Sequence, residues 1–420
     1  MVGWLGAFVL VLAFGGPGRA DLRAFERAWS EARGEASKIE ALKLLEADGS
    51  EKAARILLQI ALAPDEPAAV AMAAVARLAA LENTEADRWI VREAHEARRW
   101  QQRAALVRAI AMRGSEAATA PLLAALEDRA WQVRVAALPG LARRPRPEVV
   151  EALVRALERL APRASESPRV RAEIEDTLFR LTGQRLEGAK AWRGWWEANR
   201  DGWRPPSDGG QLVEHDEATV SRSPRLFPAA ERLSERIVFV IDISGSMRVR
   251  TPAGLGEGPG GEGPTRFERM VAELKRVIDR LPARAAFNIV AFSDEPQPWS
   301  RRLQRVSARS RKAAKAFLDR LEPKGQTNVI GALERAFADP QVDTIVLLSD
   351  GYPTAGRTID MDKISAELAR WNLTRGVRVH TVAFLSGDGR SLGIVEDKAS
   401  ARAFMEKLAR DHGGRCRIVE

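Results

Sequence analysis

The chain has one cysteine, Cys416, one tyrosine, Tyr352, and four histidines among 420 residues. A single thiol forms no intrachain disulfide. Cys416 reads as a small apolar residue beside the last strand, the alternative being an intermolecular bridge. His95, His215, His380 and His412 stand far apart without metal-ligand spacing, which argues against a zinc centre. His380 falls on an apolar stretch and reads as a satisfied core residue. There is no Gly-x4-Gly-Lys phosphate loop. Ser244-Gly245-Ser246 lacks the flanking glycines of a nucleophile elbow and has no base legible beside it. Beyond the amino terminus, no stretch is long and apolar enough to cross a membrane. Clustered charge is missing too. The net charge of +9 arises from arginines scattered among acids, not from the basic stripe with aromatics that a nucleic-acid face requires; it reads as compositional bias.

What is present exceeds one compact core, so two or three domains are expected. Val2 to Phe14 is apolar, Gly15-Gly16-Pro17 breaks it, and Gly18-Arg19-Ala20 offers small residues where a signal peptidase reads. Residues 1–20 therefore read as a secretory signal, with the mature chain starting near Asp21 and exported to a periplasm, the medium or the cell surface. No Lys or Arg precedes the apolar run, which leaves an uncleaved anchor as the alternative, and no cysteine near the cleavage point supports a lipoprotein.

Residues 21–200 are rich in Ala, Leu, Arg and Glu, with apolar residues recurring at helical spacing. Trp100-Gln101-x-Arg103-x-Ala105 recurs 31 residues later as Trp131-Gln132-x-Arg134-x-Ala136, and Leu122, Ala125, Leu126 and Glu127 recur as Leu153, Ala156, Leu157 and Glu158. A helix-pair repeat of this length resembles the HEAT family of α-solenoids, in which neighbours supply each other's core. Pro64, Pro121, Pro145 and Pro168 suit helix starts or turns. Trp192, Trp195, Trp196 and Trp203 follow where the repeats stop, and read as a cap in preference to an exposed stacking platform. Residues 201–233, rich in Pro, Gly, Ser and Asp, read as a linker.

Residues 234–420 have a different texture. Ile237-Val238-Phe239-Val240-Ile241 predicts a strand buried on both faces, as in a parallel sheet. Further predicted strands, 286–292, 343–349, 377–385 and 415–419, alternate with amphipathic segments 266–281, 310–321, 329–338, 362–373 and 401–411. This alternation predicts a doubly wound, Rossmann-like α/β domain. The whole is thus multidomain, an all-α solenoid followed by α/β. Asp242, Ser244 and Ser246 lie in the loop at the first strand's carboxyl end, where such sheets bind ligands. All three offer oxygen and one carries charge, which suits a hard cation that keeps positions for water or an outside ligand. Thr327, before a helix, and Asp350, ending another apolar strand, can complete the set. The bland reading is a polar turn that satisfies its own backbone.

At these residues the chain resembles a von Willebrand factor A domain with its metal-ion-dependent adhesion site. Asp242, Ser244 and Ser246 match the family's Asp-x-Ser-x-Ser, Thr327 its threonine and Asp350 its later aspartate. The resemblance implies Mg²⁺ or Mn²⁺, with Asp or Glu of a protein partner as the last ligand; it leaves open whether Asp350 ligates directly or through water. Two carboxylates roughly cancel a divalent ion, so the ion still attracts an outside carboxylate. Gln326 departs from the family, which has a second glycine there. The Gly-rich insertion 248–264 is expected beside the metal, with Tyr352 at the rim. The expectation is an exported, non-enzymatic, adhesion-type protein with a second partner surface on the repeats. The alternatives are a metal-dependent hydrolase using the same ion and a scaffold with a vestigial site.

Overall fold

The computed structural model describes residues 19–82, 84–160, 168–206, 235–251, 263–387 and 397–419. Residues 1–18 of the expected signal, most of the expected linker and the interior of the Gly-rich insertion lie outside the described residues, while Arg19 and Ala20 open the first helix. The chain separates into two compact units, Met1–Arg92 and Glu93–Glu420.

The first unit holds helices α1 (Arg19–Glu31), α2 (Glu35–Asp48), α3 (Glu51–Leu62), α4 (Ala68–Ala80) and most of α5 (Glu85–Glu96). Ser50 starts α3 by accepting the Ala53 N–H, which satisfies a donor that the helix itself leaves open. Leu42, Leu45, Leu57, Val70, Val75 and Leu78 form its interior.

The second unit begins with α6 (Trp100–Met112), α7 (Thr119–Ala125), α8 (Trp131–Ala142), α9 (Pro147–Leu160), α10 (Pro168–Thr182) and α11 (Ala189–Asn199). The spacing of 31 is visible in the helices: Trp100 opens α6 and Trp131 opens α8. Residues 31 apart also touch, since Arg144 Nη2 donates to Arg113 O at 2.8 Å. Pro147 and Pro168 open α9 and α10, where a missing N–H costs nothing. Pro139, inside α8, departs from that pattern. Trp192 and Trp196 are buried. Trp196 Nε1 donates to Glu151 Oε2 at 2.7 Å, and the guanidinium of Arg193 is engaged by Glu151 and Glu158. This part of the tryptophan cluster therefore packs on α9.

The same unit continues into a seven-stranded sheet of order β3-β2-β1-β5-β6-β7, with β4 also on β2. The strands are β1 (Arg236–Asp242), β2 (Ala286–Phe292), β3 (Pro296–Pro298), β4 (Gln304–Arg305), β5 (Thr344–Ser349), β6 (Arg378–Phe384) and β7 (Cys416–Val419). β2, β1, β5, β6 and β7 run parallel, whereas β3 and β4 add antiparallel pieces to β2. Helices α12 (Arg266–Arg280), α13 (Ala308–Leu318), α14 (Val329–Phe337), α15 (Met361–Asn372) and α16 (Lys398–Asp411) cover it. Alternation along β1 sends Ile237, Phe239 and Ile241 into the core with α12 and α13. Val238 and Val240 go into the core with α14, α15 and α16. Both faces are dry, which explains the unbroken apolar runs.

The helices that precede the sheet attach at the amino-terminal end of β6. Arg378 pairs with Glu173 and Asp176 of α10 at 2.5 and 3.0 Å. Arg169 Nη2 donates to Gly376 O at 2.9 Å, and Arg108 Nη1 of α6 donates to Leu373 O at 2.9 Å. These contacts group α6 and α10 with the sheet, so the compact units divide the chain near residue 92, where composition alone places a boundary near 200. Among the described residues no helix is long and apolar enough to cross a membrane.

Candidate metal centre

Asp242 ends β1, and Asp350 directly follows β5. These strands are neighbours, and between them the strand order reverses, since the chain moves outward to β2 on one side and to β6 and β7 on the other. In open α/β sheets a crevice forms outside the carboxyl ends at that point. The β1–β5 register pairs Ile241 with Leu348; one step further sets Ser349 against Asp242. Ser349 Oγ accordingly donates to Asp242 Oδ2 at 2.6 Å, while Oδ1 accepts the Ser244 N–H at 2.8 Å. Past Ser244 the chain enters a short 3₁₀ turn, Gly245–Arg248, and the hydroxyls of Ser244 and Ser246 lie 3.0 Å apart.

Backbone bonds bring in the loop that carries Thr327. Lys324 N donates to Ile243 O at 2.7 Å and Gly245 N to Gly325 O at 3.0 Å. Thr327 N donates to Thr354 Oγ1 at 2.9 Å, and Thr327 O accepts Thr354 N at 3.0 Å. The loop after β5 is thus sewn to the Thr327 loop, and the Thr327 loop to the one after β1. Gly325 is required here: its φ is +80°, and a Cβ would fall 2.1 Å from Asp294 Oδ2. Asp294 Oδ1 also accepts the Gln326 N–H at 3.1 Å. The strict glycine of the loop is therefore Gly325, and Gln326 is accommodated beside it.

Asp242, Ser244, Thr327 and Asp350 are buried and Ser246 is half-buried. Burial first, and then the charge of Asp350, push the Asp242 carboxyl well up, against the pull of its bonds from Ser244 and Ser349. Two like charges held together in a dry site repel, and Arg266 Nη1, 3.5 Å from Asp350 Oδ2, offsets this on the Asp350 side. Among the described residues no group of three or more His, Cys, Asp or Glu gathers to hold a metal. The donor set here is instead two carboxylates with hydroxyls, and all-oxygen donors of this kind fit Mg²⁺ or Mn²⁺.

Several residues of this arrangement escape sequence reasoning. Ser349 shows only as the neighbour of Asp350 in Ser-Asp-Gly. Thr354 and Asp294 sit in loops without any motif. Arg266, which the sequence marks only as the first residue of an amphipathic segment, is fully buried, with Nη1 3.5 Å from Asp350 Oδ2. Tyr352, 44% exposed, lies two residues beyond Asp350. His380 Nδ1 accepts the Arg415 N–H at 3.1 Å, and burial pushes its pKa down to about 3. Burial also pushes the Cys416 thiol up to about 11, which keeps it protonated and unreactive.

Residues 260–416 match the family model of the von Willebrand factor type A domain. The fold fits that domain. Thr327 and Asp350 fall inside the matched span, whereas Asp242, Ser244 and Ser246 precede it. Human inter-alpha-trypsin inhibitor heavy chain H4 is 28% identical over 199 residues, covering 44% of this chain and 18% of that one. Human von Willebrand factor A domain-containing protein 3A is 26% identical over 207 residues, covering 49% and 15%. The chain therefore spans less than a quarter of either relative. A solved von Willebrand factor type A structure from Catenulispora acidiphila aligns over 44% of this chain and 39% of its own, at 22% identity and a TM-score of 0.34.

Proposed function

We propose that this is an exported, non-enzymatic binding protein whose A-type domain holds Mg²⁺ or Mn²⁺ and through it captures an Asp or Glu of a protein partner. Asp242, Ser244, Ser246 and Thr327 would ligate the ion, with Asp350 contributing directly or through water. The bound ion supplies positive charge with an open position. The chain's own residues do the rest: Ser349 and the Ser244 amide fix both oxygens of Asp242, and backbone bonds between the three loops hold the hydroxyl donors in place. The α-helical region, read as HEAT-like repeats, serves as the second interaction surface. The observation that carries this reading is the burial of Asp242 beside Asp350 at the sheet's switch point, where burial and like charge both disfavour the ionised Asp242 and a bound cation would favour it. Calorimetric titration of Mg²⁺ and Mn²⁺ into the full chain tests it, together with capture of partners from exported material with and without chelator. Saturable binding, and capture that chelator abolishes, are expected; capture indifferent to chelator would make the ion structural and end the adhesion reading.

A further inference from the structure

One stretch departs from the mixing of acids and bases seen elsewhere. Between Pro296 and Leu318 the chain carries seven basic residues and no Asp or Glu. Arg301 and Arg302 lie between β3 and β4, Arg305 is on β4, and Arg309 and Lys312 are in the first half of α13. All five are exposed, and among the described residues none of their side chains forms an ion pair. Three nearby acids are already engaged. Asp339 accepts the Leu303 and Gln341 N–H groups at 2.8 and 3.0 Å, Asp279 pairs with Lys315 at 2.8 Å, and Glu235 pairs with Arg284. More positive charge arrives instead: Arg335 Nη2 donates to Arg301 O at 3.3 Å, and Arg311 Nη2 donates to Leu281 O at 2.6 Å, just past the exposed Arg280 at the end of α12. α13 has no acid in its first turn, although the helix dipole favours acids there and disfavours cations. Local stability therefore does not explain this charge.

We propose that this basic edge is a docking surface for an acidic segment of a protein partner, reached without the metal. The register places Arg305 against Ala286 at the start of β2, whereas Asp242 stands against Phe292 at its end. Six residues of strand separate the two, about 20 Å at the rise of a strand, which exceeds the screening length at physiological salt. The chemistry of the edge selects the partner. Guanidinium groups take carboxylates through paired N–H donors. Base stacking needs exposed aromatic rings, and a lipid surface rewards exposed apolar side chains. Trp299 is half-buried and stacked on Phe287, with ring centroids 5.2 Å apart. Among the described residues the exposed large apolar side chains, Met112, Tyr352 and Ile359, lie outside this stretch.

The test uses the full chain in chelator, so that metal plays no part. The probe is a fluorescein-labelled deca-glutamate peptide, with deca-glutamine as the neutral control and phosphatidylglycerol vesicles as the lipid comparison. Anisotropy should show saturable binding of deca-glutamate that weakens as salt rises, and no binding of deca-glutamine. Arg301→Glu, Arg302→Glu and Arg305→Glu together should weaken it by about tenfold or more. Arg33→Glu, Arg98→Glu and Arg204→Glu, which reverse three exposed arginines away from the edge, should change it by about twofold at most. Glutamine at the three edge positions should give a smaller loss in the same direction, and stands in for the reversal if that variant does not fold. Equal losses from the edge and control reversals would overturn the proposal, since net charge alone would then hold the peptide. A wild type that binds no deca-glutamate ends it as well. Vesicle binding that depends on the edge, without peptide binding that does, would assign the surface to lipid headgroups and overturn it too.

Discussion

At the amino-terminal end of β6, Arg378 lies between Glu173 and Asp176, and Arg169 stands 2.7 Å from Glu173. At the carboxyl ends of β1 and β5, Asp242 and Asp350 are buried together. Both ends of one sheet thus hold buried charge, but differently compensated: Glu173 has two arginines beside it, whereas Arg266 reaches Asp350 and no cation is among the causes that shift Asp242. Burial alone pushes Glu173 up, yet Arg169 and Arg378 outweigh it and hold the carboxyl below its usual range. At the other end burial and a like charge act in the same direction and push Asp242 up. A balanced buried cluster is what joins two parts of a fold. An unbalanced one is kept where something else is meant to complete it. The first is therefore read as structure and the second as function, although by composition alone both are merely Arg, Asp and Glu.

The largest effect is expected from unbalancing the structural end. Glu173→Gln leaves Arg169 and Arg378 buried with less compensation and should cost about 3–5 kcal/mol, read by urea denaturation of the full chain. A loss under about 1 kcal/mol would mean that the cluster is screened and does not hold α10 to the sheet. At the other end, Asp242→Ala should spare the fold and weaken Mg²⁺ or Mn²⁺ binding by about 100-fold, because it removes a ligand and half of the compensating charge. Equal affinity in both proteins would place the metal elsewhere.

A third prediction sharpens the contrast through pH. The fold raises the Asp242 carboxyl to about 7. The stability that protonation gives is thus fully present below the ordinary carboxylate value and is lost as pH rises through about 7. Asp242→Asn never takes the charge. In chelator its stability should match wild type near about pH 4 and exceed it by up to about 4 kcal/mol near about pH 8; measuring the difference cancels the histidines common to both. With saturating Mg²⁺ near about pH 8 the order should invert, since only the aspartate binds the ion well. A difference that does not change with pH would mean that neither burial nor Asp350 raises the Asp242 carboxyl in the folded chain.

How much of this was legible beforehand follows from the range of each interaction. β1 and β5 announce themselves because both faces are buried and their apolar runs have no polar break, whereas Asn288 interrupts β2, His380 and Thr381 interrupt β6 and Arg417 interrupts β7. Asp242 and Asp350 are legible for the same reason: each is the first carboxylate after such a run. β3 and β4 left no trace, being two or three residues long and, in β3, flanked by Pro296 and Pro298, which only an edge tolerates. The pairing of Arg378 with Glu173 spans 205 residues and has no local signature. Arg266 opens an amphipathic segment and carries no local sign of burial; its place against the end of β6 shows only in the fold, where Nε donates to Ser386 O at 2.8 Å.

The smallest effect concerns Thr327, whose backbone and side chain have separable duties. Its N–H and C=O join the loop after β5 through Thr354, and Asn328 beside it caps α14 by accepting the Gly331 N–H at 2.9 Å. None of those bonds uses the Thr327 hydroxyl, so Thr327→Ala should leave the loop in place. It deletes one neutral oxygen and no charge, so the metal should weaken by about tenfold at most, well short of the loss from Asp242→Ala. Thr327→Ser restores the hydroxyl and should restore the affinity. Mn²⁺ calorimetry on the three proteins reads both steps. A serine variant no better than alanine would assign the loss to the missing methyl and its packing, and Thr327 would leave the set of proposed ligands.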